Sequence, residues 1–344
     1  MRVAIDKTLV KKIKDWDEFE YVYIFGEDEK LKDLCKLGIE CVSPKYKTQI
    51  DVNLTEYDIP CLKKAKFKDT DWRDKPLLKE NKIAIIIPNY NYGRWLDTCL
   101  TSIEEQEYRN FEIIFVDDCS TDNSVKIAKR YQEKYGNIKV IELKQKRLNG
   151  GARNEAYLHI SDDVDYIYYV DSDDWLHDNQ ALKKINRALF TNPDVLFVGM
   201  ASYKNGKTMQ CYSPQYKDRY EAIKGWSGSC GKVIKKELAT RKECLYNEGT
   251  LKEDRNQHRR ICIYMESFEN LDYPVYVWNQ TNTQSVTTIR DEALWGTSTI
   301  RHYADTLQLY LTEKGKDERM DLILKQAVDK TKKEMETKGG DQQW

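Results

Sequence analysis

Asp165-Tyr-Ile-Tyr-Tyr-Val-Asp-Ser-Asp-Asp174 is an aromatic, apolar run that breaks abruptly into a cluster of carboxylates. The stretch up to Val170 reads as a buried strand, because a short apolar run rich in β-branched and aromatic residues suits a sheet covered on both faces. Asp171, Asp173 and Asp174 then crowd like charges at its end, and each raises its neighbours' pKa unless something positive lies among them. A hard divalent cation with oxygen ligands relieves that repulsion. Mg²⁺ and Mn²⁺ reach such sites through one or two carboxylates plus substrate phosphates. For an isolated Asp-x-Asp a solvated acidic turn is the plainer reading, so the flanking sequence has to decide.

Upstream, Ile83-Ala-Ile-Ile-Ile87 is a second buried strand running into Pro88-Asn89-Tyr90-Asn91-Tyr92-Gly93. Trp95, Leu96, Cys99, Leu100 and Ile103 carry helical spacing. A third strand, Phe111 to Val116, ends in Asp117-Asp118-Cys119-Ser120-Thr121-Asp122-Asn123-Ser124, and a helix is expected from about Val125 to Tyr135. A short strand over Ile138–Leu143 precedes Asn149-Gly150-Gly151-Ala152-Arg153-Asn154. Strands alternating with helices predict a mostly parallel α/β sheet with helices on both faces. Ligands of such sheets bind beyond the carboxyl ends of the strands. Pro88–Asn91, Asp117–Asp118 and Asp171–Asp174 all fall there, so one crevice can hold all three.

As a set, Ile87-Pro-Asn-Tyr-Asn91, Ser102-Ile-x-x-Gln106, Phe111 to Ser124, Ala152-Arg-Asn154 and Asp171-Ser-Asp-Asp174 resemble the family 2 glycosyltransferases. The resemblance covers roughly Lys82 to Ile289, with the motifs in the family's order. It implies a GT-A fold, a Rossmann-like nucleotide-diphospho-sugar transferase architecture, and inverting transfer from a nucleotide sugar. A uracil ring offers an N3–H donor that a fixed carboxylate can accept. By resemblance that carboxylate is Asp118, with Pro88 and Tyr90 shaping the base pocket and Asp117 holding the turn. Arg153 is suited to the nucleotide's phosphates or to Asp118, and a structural ion pair is the other reading. Asp171 and Ser172 are implied donor contacts, and Asp171, Asp173 and Asp174 are the candidate ligands of Mn²⁺ or Mg²⁺, which would act as a Lewis acid. Two departures are Cys119, where the family usually has Gly, and the segment before Ala152-Arg153-Asn154, which is shorter than usual.

Inversion also requires a base opposite the leaving group. Lys252-Glu253-Asp254-Arg255 opens an expected helix over 253–265 and resembles the family's Glu-Asp motif, which makes Asp254 the candidate base. Two first-turn acids favoured by the helix dipole are the structural alternative. Trp226-Ser-Gly-Ser-Cys-Gly231-Lys232 resembles the segment that closes over the donor and presents the acceptor. Trp226 is a candidate sugar platform or a core tryptophan. Glu253 and His258 are further candidate acceptor contacts, and for His258 a surface histidine is the plainer reading.

The chain has 344 residues, a formal net charge of -1 and no global attraction for nucleic acid or anionic membrane. Its nine cysteines are dispersed without a C-x-x-C pair, which predicts reduced thiols in a cytoplasmic setting; a location peripheral to a membrane is the alternative. No apolar run approaches the length of a membrane span, and no signal peptide is read. Three parts are expected: a small α/β extension over 1–80, the catalytic domain over 81–290 and a helical region over 291–344. In the first part Glu20–Phe25 and Gly38–Val42 read as strands about a helix over Glu27–Leu37. Near 274–287, Pro274-Val-Tyr-Val-Trp278 and Gln284-Ser285 resemble the family's closing strand and Ser motif.

The leading expectation is sugar transfer from a UDP-sugar to a hydroxyl of a glycan or lipid-linked acceptor. Transfer to hydroxymethylated bases of phage-type DNA is an alternative that the neutral charge disfavours. A non-catalytic, receiver-like α/β module is the other. It needs a phosphorylatable Asp with a partner Lys at a later strand end, and none can be placed.

Overall fold

The computed structural model describes Arg2–Asp6, Tyr21–Phe25, Asn53–Leu54 and residues 80–283 and 292–339. The chain divides into two compact units, one of Met1–Asn81 with Lys183–Pro193, the other of Lys82–Leu182 with Asp194–Trp344. In the first unit β1 (Arg2–Asp6) is the centre of a three-stranded sheet, with β2 (Tyr21–Phe25) and β3 (Asn53–Leu54) parallel to it on either side. β2 coincides with the strand expected there, and β1 is an additional one. The helix and second strand expected over 27–42 lie outside the described residues, as does Gln284-Ser285.

The second unit is built on nine strands: β4 (Ile83–Asn89), β5 (Phe111–Asp117), β6 (Ile138–Glu142), β7 (Tyr166–Tyr169), β8 (Trp175–Leu176), β9 (Val195–Lys204), β10 (Lys207–Tyr212), β11 (Lys232–Lys235) and β12 (Phe268–Asn279). Their order is β6-β5-β4-β7-β11-β9-β12-β8, with β10 paired to β9. The half from β6 to β7 is parallel throughout, whereas β11, β8 and β10 pair antiparallel to their neighbours. The sheet is therefore mixed, less parallel than the βα alternation of the first half predicts. Asn205-Gly206, with φ of 53° and 75°, joins β9 directly to β10. Two positive φ angles in a two-residue loop make the primed turn that antiparallel hairpins need, and Asn-Gly is its sequence signature.

Every residue of β4, β5 and β7 is buried, as continuous apolar runs between helical layers demand. Helices α1 (Gly93–Glu104), α2 (Ser124–Tyr135) and α3 (Leu148–Tyr157) follow β4, β5 and β6. Asn89 stands opposite Asp117 and Ile86 opposite Tyr169, so three adjacent strands deliver their carboxyl-end loops to one edge. α4 (Glu253–Tyr264) packs with α5 (Glu292–Glu313) and α6 (Glu318–Gly339) into the same core. No helix among the described residues is long and apolar enough to cross a membrane. All six described cysteines are free.

Candidate active site

The turn after β5 is built from its own side chains. Asp117 is buried, accepting from Asn89 Nδ2 at 2.9 Å and from the Ser120 N–H at 2.8 Å. It holds the turn, as the sequence reading allowed. Cys119 has φ of 65°, in the left-handed region, and its Sγ lies 3.2 Å from the Leu143 carbonyl. The glycine usual in the family would adopt that conformation without steric cost.

Asp118 is buried and accepts from the backbone N–H groups of Arg147 (2.6 Å) and Leu148 (2.8 Å). Those groups open α3, so the carboxylate satisfies orphan donors at a positive helix end. A carboxylate offers about four lone-pair positions, so two bonds orient it without exhausting it. Tyr90 next to it is exposed, with Lys146 Nζ 3.4 Å from its ring centroid. Pro88 is buried at the end of β4, and its carbonyl accepts from the Ser172 hydroxyl at 3.1 Å. The Ser172 side chain thus locks β7 to β4.

The acidic cluster splits by environment. Asp174 is buried and turned to β12, accepting from the Tyr276 hydroxyl and, at 2.7 Å, from the Asn279 N–H. Burial, and then the Asp173 and Asp171 charges, push its pKa well up. Asp173 accepts from Asn282 Nδ2 at 2.8 Å, and burial together with the Asp171 charge raises it to about 6. Asp171 is the accessible one, its side chain 34% exposed. Two carboxylates so close that the Asp171 charge raises Asp173 are the hard-oxygen donor set a divalent cation would relieve, so Asp171 and Asp173 fit such an ion. Asp174, committed to β12, fits it less well. Among the described residues no three His, Cys, Asp or Glu side chains are grouped to hold a metal by themselves.

Arg153 is 3% exposed and joins two elements. Its Nη2 donates to Asp171 at 2.7 Å and its Nη1 to Glu253 at 2.9 Å. Tyr246 lies 5.2 Å beneath the guanidinium, and the buried Nε has no partner. Arg153 therefore pairs with Asp171 and Glu253, not with Asp118. Glu253 is buried, and its pKa is raised to about 7 by burial, with Arg153 acting against it. Asp254, next along the first turn of α4, is partly exposed and has no hydrogen-bond or ion-pair partner among the described residues. The Glu-Asp pair is thus one acid anchored by an ion pair and one without a hydrogen bond, whose charge acts on Lys232 and Arg259.

Trp226 is 36% exposed, with its indole over Gly228, where an added Cβ would fall 2.2 Å from the ring. Its backbone N–H donates to the Tyr216 hydroxyl at 3.1 Å. His258 is buried, with Nε2 2.9 Å from the Ala222 carbonyl, and burial depresses its pKa well below the ordinary value. It lies in the core, neither on the surface nor facing the crevice, because the face of α4 that carries it packs inward.

Sequence reasoning missed Lys232. It is fully buried and donates to the carbonyls of Ser227 (2.8 Å) and Gly228 (2.7 Å), fastening the Trp226 segment. Burial lowers its pKa to about 8. Its one sequence signal is a charged residue heading the apolar strand β11. Tyr276 and Asn279, which take Asp174 out of the crevice, stand more than a hundred residues away and carry no local signal.

The model of Glycosyl transferase family 2 matches residues 84–236. Glycosyltransferase GlyA of Streptococcus pneumoniae serotype 4 is 26% identical over 224 residues, which are 59% of this chain and 31% of the relative. The poly(ribitol-phosphate) beta-glucosyltransferase of Bacillus spizizenii is 36% identical over 116 residues, 33% of this chain and 18% of the relative. Glycosyltransferase GlyG of the same Streptococcus is 39% identical over 98 residues, 28% of this chain and 32% of the relative. The chain thus spans a third or less of the length of these relatives. Among solved structures, S. aureus TarS 1–349 in complex with UDP-GlcNAc superposes with a TM-score of 0.59 at 20% identity, over 74% of this chain and 73% of that one. That likeness carries the GT-A fold.

Proposed function

Residues 84–236 form a family 2 glycosyltransferase domain, and from that premise we propose that the chain transfers a sugar, with inversion, from a UDP-sugar to an acceptor hydroxyl. The observation that carries this reading is the Arg153 bridge. It ties Asp171, on the donor side, to Glu253, and so fastens the first turn of α4, which carries Asp254, to the donor carboxylates. UDP as the nucleotide is supported by the fold shared with TarS, solved with UDP-GlcNAc and with UDP.

In this reading Asp118, oriented by two backbone N–H groups, accepts from the uracil N3–H beside Tyr90 and Pro88. Arg153 neutralises Asp171 while the site is empty and offers its guanidinium to the diphosphate. Asp171 and Asp173 would hold a Mg²⁺ or Mn²⁺ ion, which would supply Lewis-acid stabilisation of the departing diphosphate's charge. Asp254 accepts the proton of the acceptor hydroxyl on the face opposite the nucleotide, while Glu253 fixes the turn through Arg153. Trp226 offers an indole face to an acceptor sugar. The acceptor reading, a hydroxyl-rich glycan or polyol, draws on the B. spizizenii relative, whose name gives poly(ribitol-phosphate) as its acceptor.

The test is UDP release from a panel of UDP-, GDP-, TDP- and CMP-sugars with Mn²⁺, Mg²⁺ or EDTA. Metal-dependent turnover of a UDP-sugar is expected. Equal turnover in EDTA removes the metal from the reading, preference for a GDP-sugar reverses the Asp118 assignment, and a dead panel rejects the function.

A further inference from the structure

We propose that a cavity beside the donor site is a subsite for a phosphate-bearing acceptor, a phosphorylated polyol or sugar. The inference rests on the sugar-transfer reading above and gives its acceptor a charge. The cavity, about 470 Å³, lies between the turn carrying Lys146 and Leu148, the loop at Gly249, and the first turns of α5 with Ala293, Thr297 and Arg301. Its lining contains two cations and no carboxylate. Neither Lys146 nor Arg301 has an ion-pair partner among the described residues. Their neighbours do: Arg147 pairs with Glu155 and Glu248, Arg153 with Asp171 and Glu253, and Arg255 with Glu334. Lys146 rests over the Tyr90 ring and Arg301 feels the Asp305 carboxylate, but no carboxylate lines the cavity itself, so two cations face one concavity as an anion site requires, and a guanidinium matches phosphate oxygens in shape as well as charge.

Arg301 is also held in place. Its Nη1 donates to the Gly249 carbonyl at 2.6 Å. Gly249 has φ of 67°, and a Cβ there would fall 2.2 Å from that same nitrogen. Glycine is what lets the guanidinium close over the loop. Leu148 and Ala293 add an apolar floor for the carbon face of a sugar or polyol, and the exposed Thr297 adds a hydroxyl.

Position favours an acceptor over a remote ligand. On one side the Leu148 N–H holds Asp118, the proposed uracil carboxylate. On the other, Gly249 lies in the loop leading into Glu253 and Asp254. An anion bound here sits at the border of the donor crevice and the proposed base.

The experiment is calorimetric titration of the full chain with ribitol 5-phosphate, with neutral ribitol and with UDP, alongside UDP release from the donor. Ribitol 5-phosphate should bind saturably and ribitol should not. Arg301→Gln, and separately Thr297→Glu, which places a carboxylate in the cavity from an exposed helical position, should each weaken that binding by about tenfold or more. UDP affinity and UDP release should be unchanged in both. Absence of ribitol 5-phosphate binding, or equal binding in both variants, overturns the subsite. A parallel loss of UDP affinity assigns the cavity to the donor's own phosphates and overturns it too. Loss of UDP release from the unmodified chain bears on the sugar-transfer reading alone.

Discussion

Asp254 and Glu253 are neighbours in the first turn of α4 with opposite surroundings, and substitution should separate their roles. Asp254→Asn keeps size and removes the proton acceptor. Turnover should fall roughly 10²–10⁴-fold, the usual worth of a positioned general base, with UDP affinity unchanged and the loss in kcat rather than donor KM. A near-normal kcat would leave Asp254 a helix-dipole acid. Glu253→Gln weakens a buried charge pair, so it should lower both stability and donor affinity, because Arg153 then holds Asp171 alone. Asp118 serves the fold as well as the proposed base pocket: its two bonds to the start of α3 mean that Asp118→Asn should lower the melting temperature along with UDP affinity. UDP against GDP on the unmodified chain is therefore the cleaner test of base recognition. At Cys119, left-handed backbone costs an ordinary residue on the order of 1–2 kcal/mol. Cys119→Gly should recover part of that, less the greater entropy of glycine in the unfolded chain, and urea unfolding would read it. A marked destabilisation would show that the Sγ contact with the Leu143 carbonyl outweighs the backbone strain.

At the scale of elements, the contact of α4 with α5 hides a histidine. His302 is buried, its Nδ1 3.3 Å from Asn256 Nδ2, and its Nε2 has no partner. Burial, then Arg259 and Arg255, depress its pKa to about 2. The folded state thus keeps the ring neutral where the unfolded chain, near pKa 6.5, binds a proton. The stability this contributes is complete above about pH 6.5 and is lost on acidification toward the folded value, at roughly 1.4 kcal/mol per pH unit. Urea unfolding of His302→Gln should therefore show a shallower loss between pH 6.5 and 5 than the unmodified chain; equal slopes would place the acid sensitivity elsewhere. The elements themselves were largely legible. Ile83–Asn89, Phe111–Asp117, Ser124–Tyr135 and Glu253–Tyr264 fall within a residue or two of expectation, the strands because continuous apolar runs specify them and the last helix because the Glu-Asp motif marks its first turn. Asn205-Gly206 was equally local but went unread, and with it the antiparallel half of the sheet. Lys232, Asp174 and His258 were beyond local reading: what each touches is set by β11, β12 and the chain near Ala222, brought there only by the complete fold.

At the scale of the molecule, the question is whether the last two helices are an appendage or part of the catalytic body. Leu309, Met320, Ile323 and Leu324 are buried in the same cluster as Ile261, Cys262 and Met265 of α4 and its end. Polar contacts follow the same path: Thr306 donates to Asn256 at 3.1 Å, Glu334 accepts from Lys252 at 3.1 Å and from Arg255 at 3.3 Å, and Asp305 accepts from Asn247. All of them converge on α4 and the loop before it, the elements that present Glu253 and Asp254. Removing residues 292–344 should therefore do more than shorten the protein. It uncovers the back of α4, and even Leu324→Ala alone should cost about 2–5 kcal/mol as a buried large-to-small change. The truncated chain should lose near-UV circular dichroism, become protease-sensitive around 245–265 and release no UDP from donor. Leu324→Ala, in the intact chain, should keep its fold at low temperature and melt earlier, so that loss of packing is read apart from loss of the helices. A truncated chain with native near-UV signal and full donor turnover would show that α5 and α6 merely rest on a catalytic unit complete without them.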